Sequence, residues 1–159
     1  MPPQALFGVS VAFGFITWGV VATVYLWPEL RGRPRADALR RLLLVHGFRF
    51  VGLAFLIPGV VSPDLPAAFA QPAAYGDLVA ALLALLALSV LTTGWGLVAV
   101  WVFNVWGVAD LLLAFYQGNA SGFQPGQLGA AYFIPTFIVP FLLITHVIVF
   151  VLLLRRDVP

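Results

Sequence analysis

Apolar residues in this chain come in long runs, without the alternation of half-buried strands or the one-sided stripe of soluble helices. A helix crossing about 30 Å of hydrocarbon needs about 20 such residues. The first run covers positions 6–27 and is preceded by Met1-Pro2-Pro3-Gln4, which carries no basic residue. It therefore reads as a retained span rather than a cleaved signal peptide. Pro28 to Asp37 is a polar loop, and a second run covers 39–61, with Pro58 bending its far end. Ser62 to Tyr75 holds three prolines around the apolar stretch Leu65–Ala70, the pattern of a short interfacial or re-entrant segment. Gly76 to Gln117 stays apolar for about 42 residues, about 63 Å as one helix and twice a bilayer. Thr92-Thr93-Gly94-Trp95-Gly96 is the natural break, giving spans at 77–91 and 97–117. A Gly-, Asn- and Gln-rich loop follows, and the last span covers 131–154, stopped by Arg155-Arg156-Asp157. The pattern predicts an all-α, polytopic transmembrane bundle of five spans, one integral membrane domain over 1–159.

Composition sharpens this. Hydrophobic residues make up 62% of the chain, charged residues 9%, and the mean hydropathy is +1.05. A soluble domain carries about a quarter charged residues, so no extramembrane domain fits. The eight basic residues are all arginine, and five of them (Arg31, Arg33, Arg35, Arg40, Arg41) lie around the first loop. The positive-inside rule then places that loop in the cytoplasm, the N-terminus outside and the C-terminus, with Arg155 and Arg156, inside. The two outer loops, 62–75 and 118–130, contain no arginine. The net charge of +2 is an orientation signal, not a nucleic-acid footprint.

Without lysine there is no Schiff-base chemistry. Without cysteine there are no disulfides, thiolate metal sites or iron–sulfur clusters. Glu is absent from every span, which argues against a dinuclear metal site, and no serine or threonine sits in a nucleophile motif.

What remains is polar residues inside the spans, a functional-site hypothesis by default. His46 and Arg49 share a helix face at i, i+3. At 1.5 Å per residue they lie about 8 and 12 Å deep, Asn104 and His146 each about 14 Å, and Thr17 about 15 Å. Asp110 lies further out, at about 22 Å, within an arginine's stretch. Gly107 lets another backbone approach, and Pro140 frees the Thr136 carbonyl. Three readings fit this layer. Two imidazoles on different helices suit a bis-histidine haem b site at His46 and His146, or a metal of unknown identity. Alternatively, Arg49 pairs with Asp110 or Asn104 as structural glue between helices. A proton or solute path through His46, Arg49, Asp110 and His146 is the third.

Asp77, after Gly76, reads as the N-cap of the third span. Asn119-Ala120-Ser121 matches a glycosylation sequon, without meaning in a bacterial cell. Trp27 and Trp95 suit the interfacial belt. Phe48-Arg49 with Gly52, the run Leu65–Pro72 leading to Gly76-Asp77, Asn104 with Gly107 and Asp110, and Ile134–Phe137 with Pro140 and His146 together resemble small, uncharacterised bacterial polytopic membrane proteins, and distantly the DoxX-like four-span proteins. That resemblance implies a bacterial inner-membrane helical protein and carries no activity. The expected function is non-enzymatic: an accessory or binding subunit in the lipid bilayer, associating with itself or with other membrane subunits. The small-residue stripes Ser10/Gly14/Thr17 and Ala80/Ala84/Ala87 are the faces such contacts would use.

Overall fold

The computed structural model describes Met1–Arg155, all-helical, with no strand among those residues; Arg156 and Asp157 lie outside them. Four helices are long and apolar enough to cross a membrane: α1 (Pro3–Arg31), then, after a shorter helix α2 (Arg35–His46), α3 (Ala67–Val90), α4 (Gly96–Ser121) and α5 (Ile134–Leu154). Each hydropathy run therefore has a helical counterpart. The 92–96 break falls in the α3–α4 turn as expected.

The second run departs from a plain span. Its α-helix stops at His46 and continues as ten residues of 3₁₀ helix, Gly47–Leu56. At three residues per turn, every third side chain lies on one line. His46, Arg49, Gly52 and Phe55 follow that period, and all four are buried while Phe48, Phe50 and Val51 face outward. The 3₁₀ winding thus keeps the histidine and the arginine on the same inner face.

The third run starts earlier than expected. Leu65–Pro72 is no re-entrant loop: Pro66 stands at the helix N-cap and Pro72 lies inside α3. Proline is tolerated near a helix start because most of the first amides have no partner there; Pro72 removes only the bond to the Ala68 carbonyl. Asp77 is consequently no N-cap. It is the eleventh residue of α3, about 15 Å from one end and 20 Å from the other. The last run, expected from position 131, begins three residues later, at Ile134, after a 3₁₀ segment, Pro125–Tyr132.

One small-residue stripe is spent inside the protein and the other in part. Ala80, Ala84 and Ala87 are fully covered on the inner face of α3, which packs against α4 and the 3₁₀ segment. A Cβ on Gly14 would stand 2.3 Å from the Thr136 carbonyl oxygen, so glycine there lets α1 touch α5. Trp18 Nε1 donates to the Phe137 carbonyl at 2.9 Å and Tyr132 donates to Ser10 Oγ at 2.9 Å, pinning α1 further. Thr17 lies on the exposed flank of α1.

Two apolar clusters fill the interior. One, with Leu39, Leu43, Phe103 and Leu152, lies toward the arginine-bearing end; the other, with Phe55, Phe69, Leu111 and Leu128, toward the opposite end. At the arginine end, Arg155 donates to the Arg31 carbonyl at 2.8 Å. At the opposite end, the Ala130 amide donates to the Val60 carbonyl and the Ser62 amide to that of Gln127, both at 2.9 Å. Gly129 makes that junction possible: its φ is +50°, and a Cβ would fall 2.3 Å from the Val60 carbonyl oxygen.

Candidate functional site

Between the two apolar clusters lies a layer of buried polar side chains: His46, Arg49, Asp77, Asn104, Thr145 and His146, with Asp110 at its edge. Arg49 is its centre, and its side chain is fully buried. All three guanidinium nitrogens, which together carry five N–H donors, are engaged. Nε donates to Asp77 Oδ1 at 2.7 Å, and Nη2 lies 2.7 Å from the same oxygen. Nη2 also donates to Asp110 Oδ2 at 2.7 Å. Nη1 faces the Gly107 carbonyl and His146 Nε2, both at 3.3 Å. One cation thereby ties the 3₁₀ segment to α3, α4 and α5.

Three glycines make room for this cluster, each opposite one of its ionic members. A Cβ on Gly52 would meet Asp77 Oδ2 at 2.2 Å, and one on Gly76 would meet Asp110 Oδ1 at 1.6 Å. On Gly107 it would meet His146 Cε1 at 2.4 Å and Arg49 Nη1 at 2.8 Å. Real Cβ atoms do not approach so closely, so none of these positions accepts even alanine without displacing a charged group.

The histidine tautomers follow from the bonds. His146 Nε2 faces a guanidinium, which can only donate, so that nitrogen is the acceptor. Its Nδ1–H then donates to Asn104 Oδ1 at 2.7 Å, and Asn104 Nδ2 returns a bond to the His146 carbonyl at 3.2 Å. His46 Nε2 lies 3.0 Å from Thr145 Oγ1, whose own hydrogen is directed at the carbonyls of Phe141 and Leu142. His46 therefore donates through Nε2, and its Nδ1 is buried without a hydrogen-bond partner. Both imidazoles are neutral in this arrangement. Their rings stand 4.2 Å apart, tilted by 46°, with Phe103 against both.

These contacts decide between the expectations. The Arg49–Asp110 pair forms, whereas Asn104 orients His146 and leaves Arg49 alone. Thr17 is not a member of the layer, because α1 turns it outward. Haem does not fit between His46 and His146: bis-histidine ligation needs a free nitrogen on each ring facing one iron. Three of the four ring nitrogens are held by Thr145, Asn104 and Arg49, and the rings leave no gap for a macrocycle. Among the described residues, no three of His, Asp or Glu are placed to hold a metal ion. A water-lined solute path through Arg49 is not favoured either, since the Arg49 side chain is fully buried and paired with both acids.

Asp77, expected as the N-cap of a span starting at 77, is instead a member of the cluster. The period-three series His46, Arg49, Gly52, Phe55 was the legible signal for the 3₁₀ segment. Gly76 beside Asp77 was the signal for close packing at mid-helix.

A cavity rises from the two carboxylates toward the end opposite the arginines. It encloses about 70 Å³, and about 580 Å³ of non-protein space with its open mouth counted. Asp77 and Asp110 stand at its floor, five phenylalanines (Phe7, Phe55, Phe69, Phe115, Phe123) line it, and Asn119 stands at its rim. A second cavity of about 180 Å³ reaches Arg49 and Asp77 from the flank, between the 3₁₀ segment and α5.

The chain belongs to the family described as "Domain of unknown function (DUF8737)", whose profile matches residues 6–154. No curated protein and no solved structure matches it.

Proposed function

With membership of that family as the premise, we propose that this is a non-enzymatic, multi-pass membrane protein that binds the end of a small, largely apolar molecule. The observation that carries this reading is the phenylalanine-lined cavity closed at its base by the Arg49–Asp77–Asp110 cluster. Pockets for small ligands combine apolar walls with a few fixed polar groups in this way. Gly52, Gly76 and Gly107 leave the room in which those groups stand at the base of the cavity.

The placement in the membrane is part of the same proposal. The segment Arg35–Leu56 forms a fifth crossing: twelve α-helical residues at about 1.5 Å and ten 3₁₀ residues at about 2.0 Å reach about 38 Å. The 3₁₀ winding supplies the length that a short apolar run would lack. Arg31, Arg33, Arg35, Arg40, Arg41 and Arg155 then gather at one end, the cytoplasmic side of a bacterial inner membrane by the positive-inside rule. The N-terminus lies outside, and the cavity mouth faces the outer leaflet. The Ala80/Ala84/Ala87 stripe is used inside the bundle, and the cavity with its charged base supports ligand binding more directly than a role as an accessory subunit.

The test is ligand-observed NMR with benzyl alcohol, on protein in lipid nanodiscs against empty nanodiscs. Saturable binding to the wild type and its loss in Ala114→Phe, which fills the cavity wall, is the expected result. Equal signals from the two proteins would overturn the reading.

A further inference from the structure

The ionic layer does not balance. Arg49 contributes one positive charge, and Asp77 and Asp110 contribute two negative ones when ionised. The histidines add nothing. His146 Nε2 accepts from Arg49, and a proton on His46 Nδ1 would be buried without an acceptor. Asn104 and Thr145 are neutral, and α1 brings only Phe7 to the cavity. The sum is +1 − 2 = −1. An unpaired charge at mid-bilayer is among the most unfavourable things a membrane protein can hold, so one further positive charge belongs to this site. Only Asp77 and Asp110, at the cavity floor, can receive it.

Resting on the binding reading above, we propose that the cavity is selective for small hydrophobic monocations, alkyl- or arylammonium in class, taken up in exchange for one proton held between Asp77 and Asp110. The walls agree with this chemistry, because phenylalanine faces attract a desolvated ammonium while an unpaired carboxylate oxygen attracts its N–H groups. Neither geometry nor charge favours an anion: the one cation, Arg49, has all three of its nitrogens engaged with the two acids, His146 and the Gly107 carbonyl. Charge is conserved in the exchange. The ammonium enters, the carboxyl O–H breaks, and the proton leaves to solvent through the same mouth. Asp110 is the exchanging group of the pair, since Asp77 is held by both Nε and Nη2 of Arg49 and Asp110 by Nη2 alone.

The experiment compares benzylammonium, benzyl alcohol and benzoate, which share one ring and differ in charge, on the full chain in lipid nanodiscs. The wild type is expected to bind benzylammonium about tenfold or more tightly than benzyl alcohol, and benzoate least. Benzylammonium binding should release one proton per site in weakly buffered solution and weaken by about tenfold per pH unit once the site is protonated. Benzyl alcohol binding should not depend on pH. Asp110→Asn balances the charge at +1 − 1 = 0, so it should lose the preference for the cation and keep benzyl alcohol. Should that variant fail to fold, the proton release and pH dependence of the wild type still decide. Benzyl alcohol bound as tightly as benzylammonium, or cation binding without proton release, overturns the exchange and leaves the binding reading intact. Binding of none of the three overturns both.

Discussion

Replacing Arg49 by methionine keeps the length of the side chain and removes the cation. Two carboxylates, each 2.7 Å from a guanidinium nitrogen in the wild type, are then buried beside one another without a partner. Breaking a buried ion pair by deleting one member destabilises by about 3–5 kcal/mol. The unfolded chain in a micelle also finds polar partners, which pulls the value toward the lower end. About 3 kcal/mol is therefore expected, roughly a hundredfold in the folding equilibrium. The assay is unfolding in mixed micelles followed by tryptophan fluorescence, for which the chain has five tryptophans. The triple variant Arg49→Met/Asp77→Asn/Asp110→Asn carries no charge in the layer and is expected to recover more than half of the loss. A single variant within about 1 kcal/mol of the wild type, the range of an exposed ion pair, would refute the reasoning. So would a triple variant no better than the single one.

Other consequences follow from the same contacts. Gly76→Ala places a Cβ 1.6 Å from Asp110 Oδ1 and should destabilise by about 1–3 kcal/mol, whereas Gly19→Ala, with nothing within 4 Å, should be neutral or stabilising by a few tenths. Equal effects in the same unfolding assay would remove the argument that these glycines fit the cluster. Thr145→Val takes the acceptor from His46 Nε2, leaving both nitrogens of a buried ring unpaired, and should destabilise by about 1–3 kcal/mol, with Thr145→Ser restoring most of it. Because the chain has no native cysteine, single cysteines report topology directly. Cysteines at Asp37 and Thr93 should be shielded from an impermeant thiol reagent added outside spheroplasts, and cysteines at Ser62 and Gly126 should react. The reverse pattern would invert the orientation.

Hydropathy made the bundle legible, because a lipid solvent rewards apolar length above any other property of a segment. The break at 92–96 and the start of α4 could be placed for that reason, while the helix runs on to Ser121, four residues past the expected end. The start of α3 could not, because Pro66 and Pro72 carry a loop signal in water that loses its force within the first turns of a helix. That misplacement moved Asp77 from mid-helix to a cap and hid the second acid. His46 and Arg49 were visible as ionisable groups among apolar ones, and their shared face survived the change from α to 3₁₀ winding, since i and i+3 coincide in both. Thr17 was misjudged because depth says nothing about rotation: α1 reaches the right level and turns that residue outward. Gly107 reads in the sequence as a packing position, but which side chains Gly52, Gly76 and Gly107 face does not, because those contacts join helices far apart in sequence.

One buried guanidinium holds two carboxylates in the middle of the bundle. Magic-angle-spinning NMR on protein in lipid bilayers, labelled with ¹⁵N-arginine and ¹³Cγ-aspartate, tests it by distance. One arginine is expected, protected from exchange with D₂O, whose Nη nitrogens contact two carboxyl carbons within about 4 Å. Asp77→Asn and Asp110→Asn should each remove one of those contacts. An arginine that exchanges freely, or contacts a single carboxyl unaffected by Asp77→Asn, would contradict it.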